Sequence, residues 1–227
     1  GESDQEQLHR LPTDDLFGAD LMQLTDAEAG VEDWEFSPDG RLIYFNRADS
    51  FDLADKRRKE EGFSVDVKNQ VTPLRSLWSV AVANGREERL TDDPSYSVES
   101  FVVSDDGRGI SFTGGSPERY ERNITAQRLY ADQFLMEVSS GAIERLTENY
   151  EVGESPARFS PDGRWIAFSA PDEMERYSMT ENRIYIREVT DRGGEFRKLG
   201  SSFDQSLSVG FWSDDSETIY FNAGVKV

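Results

Sequence analysis

A ten-residue segment occurs four times along the chain, at 36–45, 103–112, 159–168 and 212–221. The second residue of each copy is a Ser, and these serines lie 67, 56 and 53 residues apart: Ser37, Ser104, Ser160 and Ser213. A second marker precedes each serine by 12 or 13 residues: Leu24-Thr25, Leu90-Thr91, Leu146-Thr147 and Leu199-Gly200. Two markers in constant phase establish an internal repeat, so the chain must fold as a series of similar units.

Each repeat carries the signals of four short strands. The Ser-Pro-Asp-Gly sequence predicts a type I turn whose Gly takes the left-handed position, and in the fourth copy Ser216 must take it with some strain. After the turn, apolar residues alternate with polar or small ones, which predicts a second strand with one buried face. Third strands at 77–82, 134–138 and 184–189 end in Gly-bearing hairpins, and short fourth strands follow at 88–90, 144–146 and 196–199.

Four short antiparallel strands repeated in this way predict the blades of a β-propeller. Jelly rolls and immunoglobulin-like sandwiches lack an in-phase repeat, and a parallel β-helix has a far shorter period. The predicted fold class is therefore all-β, a partial propeller with WD- or TolB-like blades. We expect a flexible amino-terminal segment at 1–19 and a propeller domain at 20–227, with blades at about 33–91, 99–147 and 156–200 and an incomplete one at 208–227.

The fourth repeat has sequence for only two strands, while 21–25 resembles an outer strand placed before the first blade. Closed rings often complete their last blade with such a strand, yet this last blade would still need a third strand. We therefore expect the chain to be a fragment of a longer protein. The open edges of an incomplete ring also predict self-association.

The links between second and third strands are long, at about 46–76, 113–133 and 169–183, whereas the other turns are tight. In a propeller these links emerge on one face, so three successive blades elaborate the same side. Long loops in a compact domain are usually functional or disordered. The pattern favours a face that meets a partner or covers a chamber over tolerated decoration.

Charge and composition exclude several classes of function. Lys and Arg total 25 against 45 Asp and Glu, and the net charge of −20 argues against nucleic-acid and membrane-surface partners. No apolar stretch is long enough to span a bilayer. The absence of Cys excludes thiolate metal sites and leaves the compartment open, with the periplasm or secretion slightly favoured over the cytoplasm.

The segments at 36–45 and 159–168, together with 77–91 (LWSVAVANGREERLT), resemble a known family. The insertion 55–63 (DKRRKEEGF), which leads into 71–78 (VTPLRSLW), adds to the likeness. They are similar to the amino-terminal propeller of the prolyl-oligopeptidase family of serine peptidases, within its bacterial dipeptidyl-peptidase and acylaminoacyl-peptidase branch. The resemblance covers about 20–222.

The resemblance implies a parent protein whose propeller has seven or eight blades and screens peptide substrates by size. A carboxy-terminal α/β-hydrolase domain with a Ser-Asp-His triad would follow it as the partner domain. No triad residue is assigned here, because the nearest approach to the family's Gly-x-Ser-x-Gly elbow, at 153–157, lacks the last Gly. The fragment is thus expected to be non-catalytic and to need no cofactor.

Few residues are candidates for a site. His9 is the only His and lies in the terminal segment, so a catalytic relay or a zinc site through it is improbable. Glu60 and Glu61 could hold a substrate amino terminus, but their basic neighbours favour a solvated helix. Glu35 and Arg158, in matching first-strand positions two residues before a repeat serine, are the candidates for lining the channel.

Three functions stay open at this point. The leading one is a substrate-gating propeller of a serine exo- or oligopeptidase. The alternative is a TolB-like binding or scaffold propeller without enzymatic activity. A propeller lyase or glycosidase is less favoured, because it needs acidic or His clusters in the channel that the sequence does not offer.

Overall fold

The computed structural model describes residues 5–13, 21–50, 57, 60–62, 73–116, 131–148, 156–173 and 180–224. This part of the chain holds sixteen β-strands. A short pair comes first: β1 (His9–Arg10) and β2 (Met22–Gln23). Twelve strands of three repeats follow: β3 (Trp34–Phe36), β4 (Leu42–Ala48), β5 (Arg75–Ala81), β6 (Glu87–Arg89), β7 (Ser97–Val103), β8 (Gly109–Gly115), β9 (Asp132–Glu137), β10 (Ile143–Arg145), β11 (Arg158–Phe159), β12 (Trp165–Pro171), β13 (Asn182–Glu188) and β14 (Arg197–Leu199). The last pair is β15 (Leu207–Trp212) and β16 (Ile219–Ala223).

The strands form three four-stranded sheets in sequence order, β3 to β6, β7 to β10 and β11 to β14. We call these sheets blades 1, 2 and 3. Two further sheets have two strands each, β1–β2 and β15–β16. The predicted all-β fold, three complete propeller blades and a split fourth, is confirmed.

The second strand of each blade is largely buried, because it lies between two other strands of the sheet. In blade 1, β4 pairs with β3 on one side and β5 on the other, and Phe45 is fully buried. The equivalent Phe112 and Phe168 are 1% and 2% exposed in blades 2 and 3. The repeated Ile-x-Phe pattern therefore marks a buried strand, as the alternation predicts.

The tight turns after the first strands share one hydrogen-bonding pattern. In blade 1 the Ser37 hydroxyl donates to Asp39 Oδ1 at 2.7 Å, and the Leu42 N–H donates to Ser37 Oγ at 2.9 Å. Asp39 Oδ1 also accepts from the Arg41 N–H at 3.0 Å. The same bonds recur around Ser104, Ser160 and Ser213.

The residue that closes each turn is left-handed. Gly40, Gly107 and Gly163 have φ of 68°, 70° and 69°, and Ser216 has φ of 62°. Ser216 is the one non-Gly residue with positive φ in the described part of the chain. The strained position predicted for it is confirmed.

The described residues fall into two compact units, one reaching to Val98 and the other starting at Glu99. In the first unit a core of Leu24, Ala27, Val31, Ile43, Phe45 and Val80 joins blade 1 to the segment before it. In the second unit one core joins blades 2 and 3, and another joins blade 3 to β15–β16. No helix among the described residues has the length and apolar character needed to cross a membrane.

Within the amino-terminal segment, His9 and Arg10 form a strand that pairs with Gln23 and Met22, while the flexibility expected for 1–19 stays a prediction. The Leu8 N–H donates to Thr25 Oγ1 at 2.9 Å, and the Leu8 side chain packs on the first core. The partial burial of Leu8, together with this hydrogen bond, explains why a polar terminal segment contains a strand. The long links predicted between second and third strands, at about 46–76, 113–133 and 169–183, lie largely outside the described residues.

Candidate functional site: the first strands and the cleft between blades 2 and 3

The first strands carry the candidates for lining the channel. Glu35 is the middle residue of β3, opposite Tyr44, and is half-buried. Arg158 begins β11, opposite Ala167, and is exposed. The two residues belong to different compact units, and their role in a channel stays a prediction.

A cleft of about 270 Å³ lies between blades 2 and 3, on the side of the tight turns. Leu135, Met136 and Phe159 contribute its apolar lining. Its rim is charged, with three acidic and three basic residues: Asp106, Glu137, Glu188, Arg108, Arg164 and Arg192. The sequence did not single out this cleft, because its residues come from both blades and meet only when the blades pack.

Every charge on this rim has an opposite partner. Arg108 pairs with Asp106 at 2.7 Å, Arg192 with Glu137 at 3.1 Å and Arg164 with Glu188 at 3.6 Å. Asp106 is partly buried, which raises its pKa. Hydrogen bonds from the Arg108 N–H and the Ser104 hydroxyl outweigh that effect and lower the pKa below its ordinary value. The rim therefore offers paired ions and no excess charge of either sign.

Below the cleft, side chains of one blade lie close to the glycine backbone of the next, along the contact between two neighbouring blades that we call a seam. A Cβ on Gly163 would overlap the Asp106 carboxylate of the neighbouring turn, which would have to shift, and the φ of 69° at Gly163 adds backbone strain for any other residue. A Cβ on Gly109 would lie 3.2 Å from the Phe159 ring. Small residues on one blade thus let the turns and rings of the next approach closely.

A buried ion pair lies deeper in the same seam. Arg187 on β13 is 4% exposed, and its Nη1 donates to Glu144 Oε1 on β10 at 2.8 Å. The guanidinium also lies 4.9 Å from the centre of the Phe196 ring. Arg187 Nε and Nη2 and Glu144 Oε2 have no hydrogen-bond partner among the described residues. The pair orients blade 3 on blade 2 but satisfies only part of its own polar atoms.

The described residues hold no cluster of three or more His, Cys, Asp or Glu arranged to bind a metal ion. His9 lies exposed on β1, where its backbone pairs with Gln23. Glu60 and Glu61 are both exposed, and the Glu61 N–H donates to the Arg57 carbonyl at 3.0 Å, a spacing of one helical turn. Among the described residues, these sequence candidates therefore do not form a nucleophile–base pair.

Comparison with known proteins gives these blades a context. No family model matches the chain. Dipeptidyl-peptidase 5 of Porphyromonas gingivalis is 24% identical over 130 residues, which cover 57% of this chain and 18% of that protein. The uncharacterized peptidase YuxL of Bacillus subtilis is 27% identical over 172 residues, or 64% of this chain and 22% of that protein.

The chain resembles the propeller of the prolyl-oligopeptidase family. This confirms the resemblance predicted from the repeat and the first-blade insertion. The chain spans about a fifth of the length of these curated relatives, 18% and 22%.

Solved structures share the fold at low sequence identity. TolB from Acinetobacter baumannii has a TM-score of 0.52 and 17% identity, over 95% of this chain and 42% of its own. An oligogalacturonate lyase from Vibrio parahaemolyticus has a TM-score of 0.58 and 13% identity, over 90% of this chain and 50% of its own. A puromycin-hydrolyzing peptidase from Mycobacterium tuberculosis has a TM-score of 0.57 and 13% identity, over 92% of this chain and 29% of its own. Identities this low show the propeller fold alone, since one fold hosts many functions.

Proposed function

We propose that this chain is a substrate-gating propeller region of a serine peptidase of the dipeptidyl- or acylaminoacyl-peptidase type, and that it is not catalytic by itself. The observation that carries the proposal is the match to proteins named dipeptidyl-peptidase 5 over more than half of the chain. Its partners would be a carboxy-terminal α/β-hydrolase domain of the same polypeptide and peptide substrates.

The seam between blades 2 and 3 supports a gating role. The Arg192–Glu137 ion pair, the buried Arg187–Glu144 contact and the close approach of Gly163 to Asp106 join the two neighbouring blades. Blades packed in this way would not separate to let a large molecule pass between them. A wall of this kind would admit flexible peptides and exclude folded proteins.

The net charge supports selection by sign as well as by size. A chain with −20 charges repels polyanions and attracts the positive amino terminus of a peptide. Exopeptidases that act near the amino terminus of a peptide need that group to enter. Glu35, the acidic candidate on a first strand, would contribute to this attraction.

The first test assays the purified chain with aminoacyl and dipeptidyl reporter substrates. We expect no hydrolysis sensitive to a serine-directed inhibitor. Inhibitor-sensitive turnover by the pure chain would contradict the non-catalytic assignment. Reading the gene beyond this sequence supplies the second test, since the proposal requires more blades and then a strand, a Gly-x-Ser-x-Gly segment and a helix.

The gating role itself is tested in the full-length protein with peptides of increasing length. We expect Glu35→Gln to lower kcat/KM for short peptides with a free amino terminus by about threefold, as for one partly screened charge. Glu217→Gln, an equal charge change in an exposed turn, is the matched control and should have no effect. An equal response of both variants would remove Glu35 from the channel.

A second candidate function is a TolB-like binding or scaffold propeller without enzymatic activity. The coverage of 95% of the chain by the TolB structure favours it as the alternative. It predicts a gene that ends after six or seven blades with no nucleophile elbow. The gene sequence therefore separates the two candidates.

A further inference from the structure

The fourth strand of each blade, here called the outer strand, is short and carries a basic side chain just before the Leu of the repeat marker. Each outer strand has three residues: β6, β10 and β14. A strand at the edge of a sheet has a bonded neighbour on one side only, so its side chains contribute much of what holds it in place. The basic residues are Arg89, Arg145 and Lys198.

Each basic side chain reaches a carboxylate at the end of the blade where the second strand stops and the third begins. The ion pairs are Arg89–Asp49, Arg145–Asp132 and Lys198–Asp172. Asp49 directly follows β4, Asp172 directly follows β12, and Asp132 is the first residue of β9. The three carboxylate side chains are 22%, 7% and 27% exposed, so water reaches each pair only in part.

Further bonds make the pair in blade 1 a network. The Ser76 hydroxyl donates to Asp49 Oδ2 at 2.9 Å, and Arg89 Nη2 donates to Asp49 Oδ2 at 2.8 Å and to Ser76 Oγ at 2.9 Å. Arg89 Nε donates to the Thr91 carbonyl at 2.7 Å, which fixes the direction of the guanidinium. The Asp49 N–H donates to the Leu74 carbonyl at 2.7 Å. Asp49 thus joins the end of the second strand to the start of the third and to the outer strand.

The other two blades keep the ion pair and vary the bonds around it. In blade 2, Arg145 Nε donates to the Thr147 carbonyl at 3.1 Å, as in blade 1. In blade 3, the Asp172 N–H donates to the Glu181 carbonyl at 2.9 Å, and Lys198 supplies the positive charge. The contact common to the three blades is the one between opposite charges.

We propose that these three ion pairs are salt-sensitive clamps, which couple each outer strand to the ends of its second and third strands. The cation belongs to the outer strand or its last residue, and the carboxylate belongs to the backbone where the long links were predicted to leave the blade. Loss of the charge pair therefore loosens both places at once.

Salt has opposite effects on the clamps and on the chain as a whole. The distance over which charges interact falls from about 10 Å at about 0.1 M salt to about 3 Å at about 1 M. Screening relieves the mutual repulsion of a chain with a net charge of −20 and so favours the compact state. The same screening weakens the attraction within each clamp, because its cation is partly open to solvent. Salt should thus raise the melting temperature while it loosens the outer strands.

Amide hydrogen exchange measures the coupling at two bonds of blade 1. The Leu90 amide reports on the outer strand, and the Asp49 amide on the end of the second strand. Arg89→Gln should accelerate the exchange of both amides by about tenfold, as for one partly buried charged hydrogen bond. Gln23, at the equivalent position of β2, donates to a marker carbonyl at 2.7 Å, so a Gln here removes the charge and keeps a donor. Arg86→Gln removes an equal charge from the adjoining hairpin and should leave both amides unchanged.

The effect should stay within the altered blade. The Gly40 amide of the tight turn and the Leu146 amide of blade 2 are the internal references. Arg89→Lys, which reproduces the cation of blade 3, should keep most of the protection. If Arg89→Gln does not fold, Lys198→Gln tests the same coupling in blade 3, at the amides of Asp172 and Leu199.

The salt response is the second readout. Between about 0.1 M and about 1 M salt, exchange of the Leu90 and Asp49 amides should rise about threefold in the unaltered protein and stay constant in Arg89→Gln. Equal salt responses of the two proteins would overturn the proposal.

Three results of the exchange experiment would overturn it as well. Acceleration of Leu90 without Asp49 would show that the two places are not coupled. Equal acceleration by Arg86→Gln would assign the effect to net charge, and acceleration of the Gly40 reference would assign it to loss of global stability. No peptidase assay is involved, so the outcome is independent of the function proposed above.

Discussion

Equivalent faces of blade 3 and blade 1 pack against their preceding strands through different types of side chain. On blade 3, Arg187 forms a buried ion pair with Glu144 of blade 2. At the equivalent positions of blade 1, Val80 packs in an apolar cluster that Met22 of β2 contacts. The inner part of the face is half-buried on blade 3, at Phe159, but exposed on blade 1, at Phe36.

The comparison distinguishes contacts that all repeats share within a blade from contacts between neighbouring blades, which differ from one seam to the next. Both faces keep the buried Ile-x-Phe strand, and both outer pairs keep a Thr whose hydroxyl accepts a backbone N–H from the third strand. Side chains between blades vary from ionic to apolar. The blade is thus specified locally, whereas each seam is specified by its two neighbours together.

The largest expected effect comes from exchanging the two seams. Glu144→Met alone leaves the Arg187 guanidinium buried without its counter-ion and should lower the free energy of unfolding by about 3–5 kcal/mol. Adding Arg187→Val reproduces the blade 1 pair and should recover most of that loss, since several polar atoms of the ion pair are unsatisfied. Urea unfolding of the two variants measures both values. A double variant no more stable than the single one would mean that the seams are not interchangeable.

The inner rings of the two faces provide the next test. Phe159→Ala removes a ring packed against Gly109 and Leu135 and should cost about 2 kcal/mol. Phe36→Ala removes a ring that is 48% exposed and should cost less than about 1 kcal/mol. Thermal unfolding at low protein concentration, where association is absent, compares them. Equal losses would show that Phe36 has a covering that the structure does not contain.

A smaller effect is expected at the Thr residues of the outer strands. Thr147→Val removes the acceptor of a buried backbone N–H and Thr25→Val the acceptor of a partly buried one, and each should cost about 1–2 kcal/mol. Amide hydrogen exchange at Gln133 and Leu8 should accelerate in the respective variants. If the Leu8 amide already exchanges freely in the unaltered protein, β1–β2 is not a stable pair of strands.

The smallest effect concerns the turn carboxylates and pH. Hydrogen bonds from the Ser160 hydroxyl and then from the Arg164 N–H lower the pKa of Asp162 below its ordinary value of 3.8. A lowered pKa in the folded state contributes stability above pH 3.8, and that contribution is lost as the pH falls through the folded-state pKa. Asp162→Asn should therefore reduce the decline in melting temperature below pH 4, with little change in slope near pH 7. An unchanged acid slope would show that this turn is not coupled to unfolding.

Much of the fold follows from short-range pattern. The Ser-x-Asp-Gly turns and the Ile-x-Phe strands predicted three complete blades and a split fourth, and the missing Gly predicted the left-handed Ser216. These features depend on residues a few positions apart, whose geometry is set by backbone sterics and local hydrogen bonds. The resemblance to peptidases was also predicted from the sequence, on the repeat and the first-blade insertion, and the match to dipeptidyl-peptidase 5 confirms it.

The strand β1 and the cleft between blades 2 and 3 could not be predicted from short-range sequence pattern. The segment 5–13 is polar, and only the position of Leu8 relative to Thr25 shows it to be a third strand. The matching of Leu24-Thr25 to Leu90-Thr91 could have suggested a partner strand upstream, at the spacing seen in the other repeats. The cleft had no such signal, since it exists only where two blades meet.

The sequence by itself therefore determined the blade, its turns and its number of strands, because each depends on contacts within about 60 residues of repeated pattern. The tertiary structure alone decided which charges pair across a seam and which aromatic rings remain exposed. Those contacts join residues from different repeats, and their free energies depend on burial and on the neighbouring blade. For that reason Arg187 and Val80, equivalent in the repeat, have opposite chemistry in the folded chain.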